Sequence, residues 1–213
     1  MQTHYDAIIV GGGHNGLVCA AYLARAGRRV LVLERRERVG GAAVTEEVFP
    51  GFKFSVFSYA VSLLRPEIIR DLELARHGLH ILPLESTLTP LPDGNYLAQW
   101  SDHDQNRREL ARHSARDAEA YDEFGRLMHE MARAVKPLLA MTPPDPASFA
   151  PRDLSGLARL AAHFRSLGAE KFHALCKLLT MSAADFLDEW FENDAFKATK
   201  SASGIIGTML GPR

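Results

Sequence analysis

The hydrophobic pattern changes character twice along the chain. Before residue 35, apolar residues come in short unbroken runs. Tyr5-Asp6-Ala7-Ile8-Ile9-Val10 and Arg29-Val30-Leu31-Val32-Leu33 read as buried strands of a parallel sheet. Between them Leu17, Ala20, Ala21, Leu23 and Ala24 give a helix with a small apolar side, and Gly27 closes it. From Val44 to Phe57 the run is β-branched and aromatic, broken by Pro50-Gly51, which predicts two extended segments around a turn. Phe49, Phe52, Phe54 and Phe57 are candidates for the core or for a cofactor wall, and Tyr59 for a pocket residue.

Arg65-Pro66-Glu67 starts a short helix running to about Arg76, with His77-Gly78 as its end. Leu79 to Pro83 is expected as a strand. Thr87–Leu91 and Tyr96–Trp100 flank Asp93-Gly94 as a β-hairpin, whose first arm is irregular because of Pro90 and Pro92. Beyond Trp100 the period becomes helical. Ser101 or Asp102 caps a helix, and Ser114-Ala115-Arg116-Asp117 resembles a capping box. Tyr121, Phe124, Leu127, Met128, Met131, Val135 and Leu138 form a core-facing stripe. Pro143-Pro144-Asp145-Pro146 breaks the pattern. Further helices are predicted near 153–167, 168–181, 182–191 and 194–206, with Ser182 as a cap. The fold class is thus α/β: a Rossmann-type βαβ unit, then a β-hairpin and a mostly helical region. Only two parallel strands appear, too few to complete a doubly wound sheet. Ser203 to Arg213 reads as a helix leading into a loop. The chain is therefore expected to be the N-terminal part of a longer one.

Composition narrows the partners. At 213 residues with a net charge of −1, the chain can bury a core and has no basic patch for nucleic acid. No apolar run reaches the ~20 residues that span a bilayer. Cys19 and Cys176 form no C-x-x-C dithiol; both are expected as buried small hydrophobes in a reducing cytoplasm. The nine histidines fall in no metal-binding spacing, so no metal is expected. His103, inside Ser101-Asp102-His103-Asp104, belongs to an acidic helix start.

The chemistry lies in Gly11-Gly12-Gly13-His14-Asn15-Gly16. Gly11, Gly13 and Gly16 satisfy G-x-G-x-x-G between a strand and a helix. The first glycine permits the turn, the second lets a pyrophosphate approach the backbone, and the third lets the helix pack closely. The helix N-terminus then faces the phosphates. Glu34 ends the second strand eighteen residues after Gly16, where a carboxylate accepts from both hydroxyls of an adenosine ribose. Arg35 is placed to meet a 2′-phosphate, but the charge of Glu34 opposes one. Gly40-Gly41 permits a second close backbone approach.

Tyr5 through Leu17, with Glu34-Arg35-Arg36 and Val39 through Glu47, resembles the phytoene desaturase-like branch of FAD-dependent oxidoreductases. Phe49 through Ser55, Leu63-Leu64-Arg65-Pro66, Asp71-Leu72-Glu73-Leu74 and Asp185 through Glu192 extend the likeness to nearly the whole chain. The resemblance implies FAD as cofactor, held by Gly11, Gly12, Gly13, His14, Asn15 and Gly16. It places Glu34 on the ribose, Arg35 beside the adenine end, and Gly40 and Gly41 near the pyrophosphate and flavin. Ala42 stands where many relatives have an arginine. The implied activity is transfer of a hydride equivalent from an apolar or amine-type small molecule to flavin, with no catalytic residue assigned. Residues 1–65 would begin the nucleotide domain and 66–213 the substrate or cap domain, with its hairpin at about 79–100. The alternatives are a non-catalytic nucleotide-binding regulatory protein and an NAD(P)-dependent reductase.

Overall fold

β1 (Ala7–Val10) and β2 (Val30–Leu33) pair in parallel, from Ala7 opposite Val30 to Val10 opposite Leu33. The helix between them, α1 (His14–Arg25), returns the chain through Gly27, whose φ of +77° places it in the left-handed region. Arg28 N–H then bonds the Leu23 carbonyl at 3.0 Å, a glycine-terminated helix end. This computed structural model describes residues 4–55, 57, 58, 60–206, 211 and 212. Tyr59, Gly207 to Leu210 and Arg213 lie outside that set. By packing, the chain divides into two units, residues 1–83 and 84–213.

In the first unit, the expectation of fully buried parallel strands does not hold. Along β1, Ala7 and Ile9 are half-buried, while Ile8 and Val10 are 60% and 85% exposed. Burial on both faces needs helices on both sides of the sheet, and among the described residues β1 and β2 pair only with each other. The next two strands, β3 (Thr45–Phe49) and β4 (Phe52–Ser55), form the expected hairpin about Pro50-Gly51. Its aromatic residues are not core: Phe49, Phe52, Phe54 and the following Phe57 are all exposed. Among the described residues β3 and β4 pair only with each other, and a lone two-stranded ribbon does not bury its side chains.

The helix after Arg65 is shorter than expected. α2 (Pro66–Asp71) ends early, and the chain turns at Glu73 into a 3-10 helix, Leu74–His77. Tyr22 Oη donates to Asp71 Oδ2 at 3.1 Å, tying α2 to α1. Leu79 to Pro83 is not a strand. Ile81 and Leu82 are exposed, and Pro83 has no N–H to give a ladder. The two cysteines also depart from expectation, since both are exposed. Beside Cys176, Leu175 is buried, so α6 turns its neighbouring residue rather than the thiol to the core.

The second unit begins with β5 (Ser86–Pro90) and β6 (Tyr96–Trp100), the predicted antiparallel hairpin. α3 (His103–His113) starts at Asp102, whose Oδ1 accepts from Gln105 N–H at 2.7 Å. α3 seals the free edge of β6 with side chains. Asn106 accepts from Trp100 N–H at 2.8 Å and donates to Trp100 O at 2.7 Å. Glu109 Oε1 accepts from Ala98 N–H at 3.1 Å, and His113 Nε2 lies 3.1 Å from Tyr96 O. Residues two apart on the strand meet residues three and four apart on the helix, because both sets repeat on one side. The unpaired groups of an edge strand are thereby occupied.

Glu109 is buried, and burial pushes its carboxyl up. The Ala98 amide and the Arg112 guanidinium, 2.5 Å from Oε2, outweigh that and hold it below its ordinary 4.5. A depressed folded pKa gives stability that is present above the unfolded value and lost as pH falls through the folded one. Thermal stability should therefore fall on acidification below pH 4.5. Glu109→Gln should start less stable and show a shallower decline, measured as melting temperature against pH. Parallel curves would exclude Glu109 as a contributor.

α4 (Ala115–Val135), α5 (Pro151–Ser166), α6 (Gly168–Thr180), α7 (Ala183–Asp188) and α8 (Asp194–Ile205) complete the unit. Phe124 and Met131 of the α4 stripe are buried, with Tyr121, Leu127, Met128 and Val135 packed beside them. Phe124 meets Phe191 edge-on at 4.9 Å, and Phe191 meets Phe196 at 4.8 Å, the favoured geometry of aromatic pairs. Ser182 caps α7 by accepting from Asp185 N–H at 3.0 Å.

The capping box forms by half. Ser114 Oγ accepts from Asp117 N–H at 3.0 Å. The fully buried Asp117 carboxylate points elsewhere: Oδ1 accepts from Glu192 N–H at 2.8 Å and Oδ2 from Asn193 N–H at 2.9 Å. Asp117 thus clamps the α7–α8 junction to the first turn of α4.

Candidate nucleotide-binding site

The glycine turn leaves β1 through Gly11, whose φ is +103°. Gly11 N–H bonds the Leu33 carbonyl at 2.7 Å, so the turn starts as an extension of the sheet. A Cβ on Gly16 would stand 2.3 Å from Gly11 O and 3.2 Å from Ile9 Cγ2. No side chain fits there, and α1 sits directly on the turn. Gly13 takes the cap position of α1 with no side-chain cap bond, and the first turn carries no acidic residue. The helix therefore presents bare amides and the positive end of its dipole.

Glu34 closes the turn from the side. Its Oε2 accepts from Gly12 N–H at 2.7 Å and its Oε1 from Arg36 N–H at 2.9 Å. The amides of Arg36 and Gly12 hold its carboxyl below the usual range, so it is ionised at neutral pH. A carboxylate offers about four acceptor positions. The amides do not use all of them, so acceptor capacity is left for a hydroxyl donor.

Gly40 and Gly41 pack on the same turn. Gly40 N–H bonds Gly12 O at 2.7 Å, and Gly13 and Gly40 form a parallel bridge. Both glycines have positive φ, +126° and +58°. A Cβ on Gly41 would lie 2.9 Å from Gly13 Cα, so backbone touches backbone. A 3-10 turn, Gly41–Ala43, follows.

The structure thus brings Gly11, Gly12, Gly13, Gly16, Glu34, Gly40 and Gly41 into one cluster. His14 and Asn15 are exposed on the first turn of α1, Arg35 is exposed after β2, and Ala42 is exposed in the 3-10 turn. None of these four has a side-chain partner among the described residues. Two further residues, quoted in the sequence only as part of the resemblance and given no role there, join the cluster. Val39 Cγ1 lies 3.0 Å from where a Gly12 Cβ would be. Arg36 pairs through its guanidinium with Glu46, fixing the loop after β2 to β3. Neither residue sits at a motif spacing.

Residues 9–72 match the family described as NAD(P)-binding Rossmann-like domain. Over its full length the chain is 40% identical to pyridine nucleotide-disulfide oxidoreductase domain-containing protein 2 of Rattus norvegicus and 41% identical to that of Mus musculus. It spans 39% of the length of those curated relatives. A limonene dehydrogenase subunit of Castellaniella defragrans is 41% identical over 56% of this chain and 22% of its own. The resemblance read from the sequence therefore holds. The chain has a mixed α/β fold, carries an NAD(P)-binding Rossmann-like domain over residues 9–72, and is similar over its full length to the pyridine nucleotide-disulfide oxidoreductase domain-containing relatives.

Proposed function

We propose that the chain is the nucleotide-binding part of an FAD-dependent oxidoreductase. It would take a hydride equivalent from an apolar or amine-type organic substrate. The observation that carries this reading is the lock between the uncapped glycine turn, the ionised Glu34 and the Gly40-Gly41 pair. A dinucleotide pyrophosphate fits this arrangement. It needs bare amides, a helix dipole and close backbone approach, and Cβ-free positions supply all three.

In this reading Gly11, Gly12, Gly13 and Gly16 hold the pyrophosphate against the first turn of α1, where His14 and Asn15 contribute amides. Glu34 accepts from the adenosine ribose, Arg35 flanks the adenine, and Gly40, Gly41 and Ala42 line the side toward the flavin. Bound FAD would supply the electron-accepting ring. The chain's own residues bind and orient it. Residues 1–65 would begin the nucleotide domain, and residues from 66 onward the substrate or cap region. The name of one relative, a limonene dehydrogenase subunit, supports an apolar substrate. The two exposed thiols support a reducing, cytoplasmic setting.

The family description names NAD(P), so the test sets the nucleotides against each other. The purified chain is titrated with FAD, NADH and NADPH by calorimetry or fluorescence. FAD should bind tightest and NADPH weakest, because Glu34 repels a 2′-phosphate. Glu34→Arg should weaken FAD by about tenfold or more. Preference for NADH over FAD would replace the proposal with a nicotinamide reductase. Unchanged FAD affinity in Glu34→Arg would remove Glu34 from the site.

A further inference from the structure

Five of the chain's six lysines lie in the second unit, and their surroundings differ. Lys171 pairs with Glu130, Lys177 with Glu189, and Lys197 with both Asp188 and Asp194. Lys136 is exposed to water, as is Lys53 in the first unit. Lys200 is half-buried, and among the described residues no carboxylate lies within ion-pair distance of it. Its hydrogen bond goes to a neutral group: Nζ donates to Gln99 Oε1 of β6 at 3.0 Å. Two aromatic rings lie beside it. Nζ is 5.1 Å from the ring centre of Phe196 on its own helix and 5.8 Å from that of Tyr121 on α4. These rings meet edge-on at 6.1 Å, and His103 of α3 stacks on Tyr121 at 5.3 Å.

Lys197 and Lys200 are one turn apart on α8, so the helix itself does not distinguish them. Lys197 donates to Asp188 and Asp194, which holds its ammonium above the ordinary 10.5. Around Lys200 the ring faces favour a cation and burial away from water disfavours one. The net direction is down from the same 10.5. Tyr121, the titratable group beside Nζ, is pushed up by its own burial and stays a neutral phenol. A desolvated lysine without a counter-charge holds more free amine at neutral pH than a hydrated one, and the free amine is the nucleophile.

We propose that Lys200 captures apolar aldehydes as an imine, at a site formed with Gln99, Tyr121 and Phe196. The Nζ lone pair attacks the aldehyde carbon, a C–N bond forms, and an amine proton passes to the carbonyl oxygen. The carbinolamine then loses that oxygen as water and becomes the imine. Nothing is oxidised or reduced, so the step needs only the aldehyde. Tyr121 and Phe196 offer ring surface to its hydrocarbon chain. Gln99 orients Nζ by a hydrogen bond without the charge with which a carboxylate would hold a proton there. The site lies wholly in the second unit and does not depend on nucleotide binding, so its failure would leave the flavin reading untouched.

The full chain is treated at neutral pH with limiting butanal and sodium cyanoborohydride, which traps the imine as a secondary amine. Peptide mass spectrometry then maps the butyl groups. Lys200 should be labelled about tenfold faster than the exposed Lys53 and Lys136, and butanal should outcompete the hydrophilic glyceraldehyde. Gln99→Glu sets a carboxylate against Nζ and should slow Lys200 to the rate of the paired Lys197, with the other lysines unchanged. Gln99→Met removes the hydrogen bond without adding charge and should keep Lys200 the fastest. Circular dichroism checks that both variants stay folded. Labelling of Lys200 no faster than of Lys53 would overturn the proposal, as would equal labelling in wild type and Gln99→Glu. Loss in Gln99→Met as complete as in Gln99→Glu would also overturn it, and a preference for glyceraldehyde would overturn the apolar assignment.

Discussion

Gly16→Ala is expected to abolish nucleotide binding and to destabilise the first unit by about 2–3 kcal/mol, the upper range for overpacking a tight contact. The new Cβ would meet Gly11 O at 2.3 Å, and that oxygen belongs to backbone rather than to a side chain that can swing away. Either α1 lifts from the turn or Gly11 leaves its φ of +103°. Both routes pull the Gly12 amide from Glu34 and the Gly12 carbonyl from Gly40. Gly125→Ala provides the contrast. Gly125 lies inside α4 with nothing within 4 Å of its added Cβ, so alanine there should stabilise by up to about 1 kcal/mol. Calorimetric titration and thermal melts of the two variants measure both effects. Retained nucleotide affinity in Gly16→Ala would show that the turn adjusts and that the close packing is not required.

Asp117→Ala is expected to cost the second unit about 3–5 kcal/mol, given about 1.5–3 kcal/mol for each hydrogen bond to a charged group. Two amides, those of Glu192 and Asn193, lose their acceptors, and a fully buried position is left empty. Asp117→Asn separates bonding from volume. The amide keeps one acceptor oxygen, but its NH2 faces an N–H, so it should lose about half as much. Urea denaturation followed by tryptophan fluorescence reports the change, because Trp190 adjoins the junction and stacks edge-on against Phe124 at 5.7 Å. Near-wild-type stability in Asp117→Ala would mean that the aromatic cluster alone holds α7 and α8.

Local signals were legible in the sequence where the residues that determine an element are its own. The βαβ unit, both hairpins, the α4 stripe and the Asp102 and Ser182 caps follow from period and turn chemistry within a few residues. What escaped depends on distant partners. Asp117 reads as half of a capping box, and only the arrival of Glu192 and Asn193 diverts its carboxylate. The stretch Leu79–Pro83 has a strand's composition but, among the described residues, no strand pairs with it. Ile8, Val10 and the β3–β4 phenylalanines look buried by composition, yet burial needs a second layer. In the glycine cluster, the bond between Gly40 and Gly12 joins two motifs that the sequence could place only as separate glycine turns.

The helix seal on β6 has a consequence for the order of events during synthesis. Asn106 and Glu109 lie only 6 and 11 residues from the strand groups they occupy. These contacts close small loops and are expected to form early. Asp117 waits for partners 75 and 76 residues downstream, several seconds later at ~5–20 residues per second. A nascent chain paused in that interval carries an unfinished aromatic core, but β6 offers no open strand to a neighbouring nascent chain. The side chains of α3 therefore act as an intramolecular chaperone for the hairpin until α7 and α8 emerge.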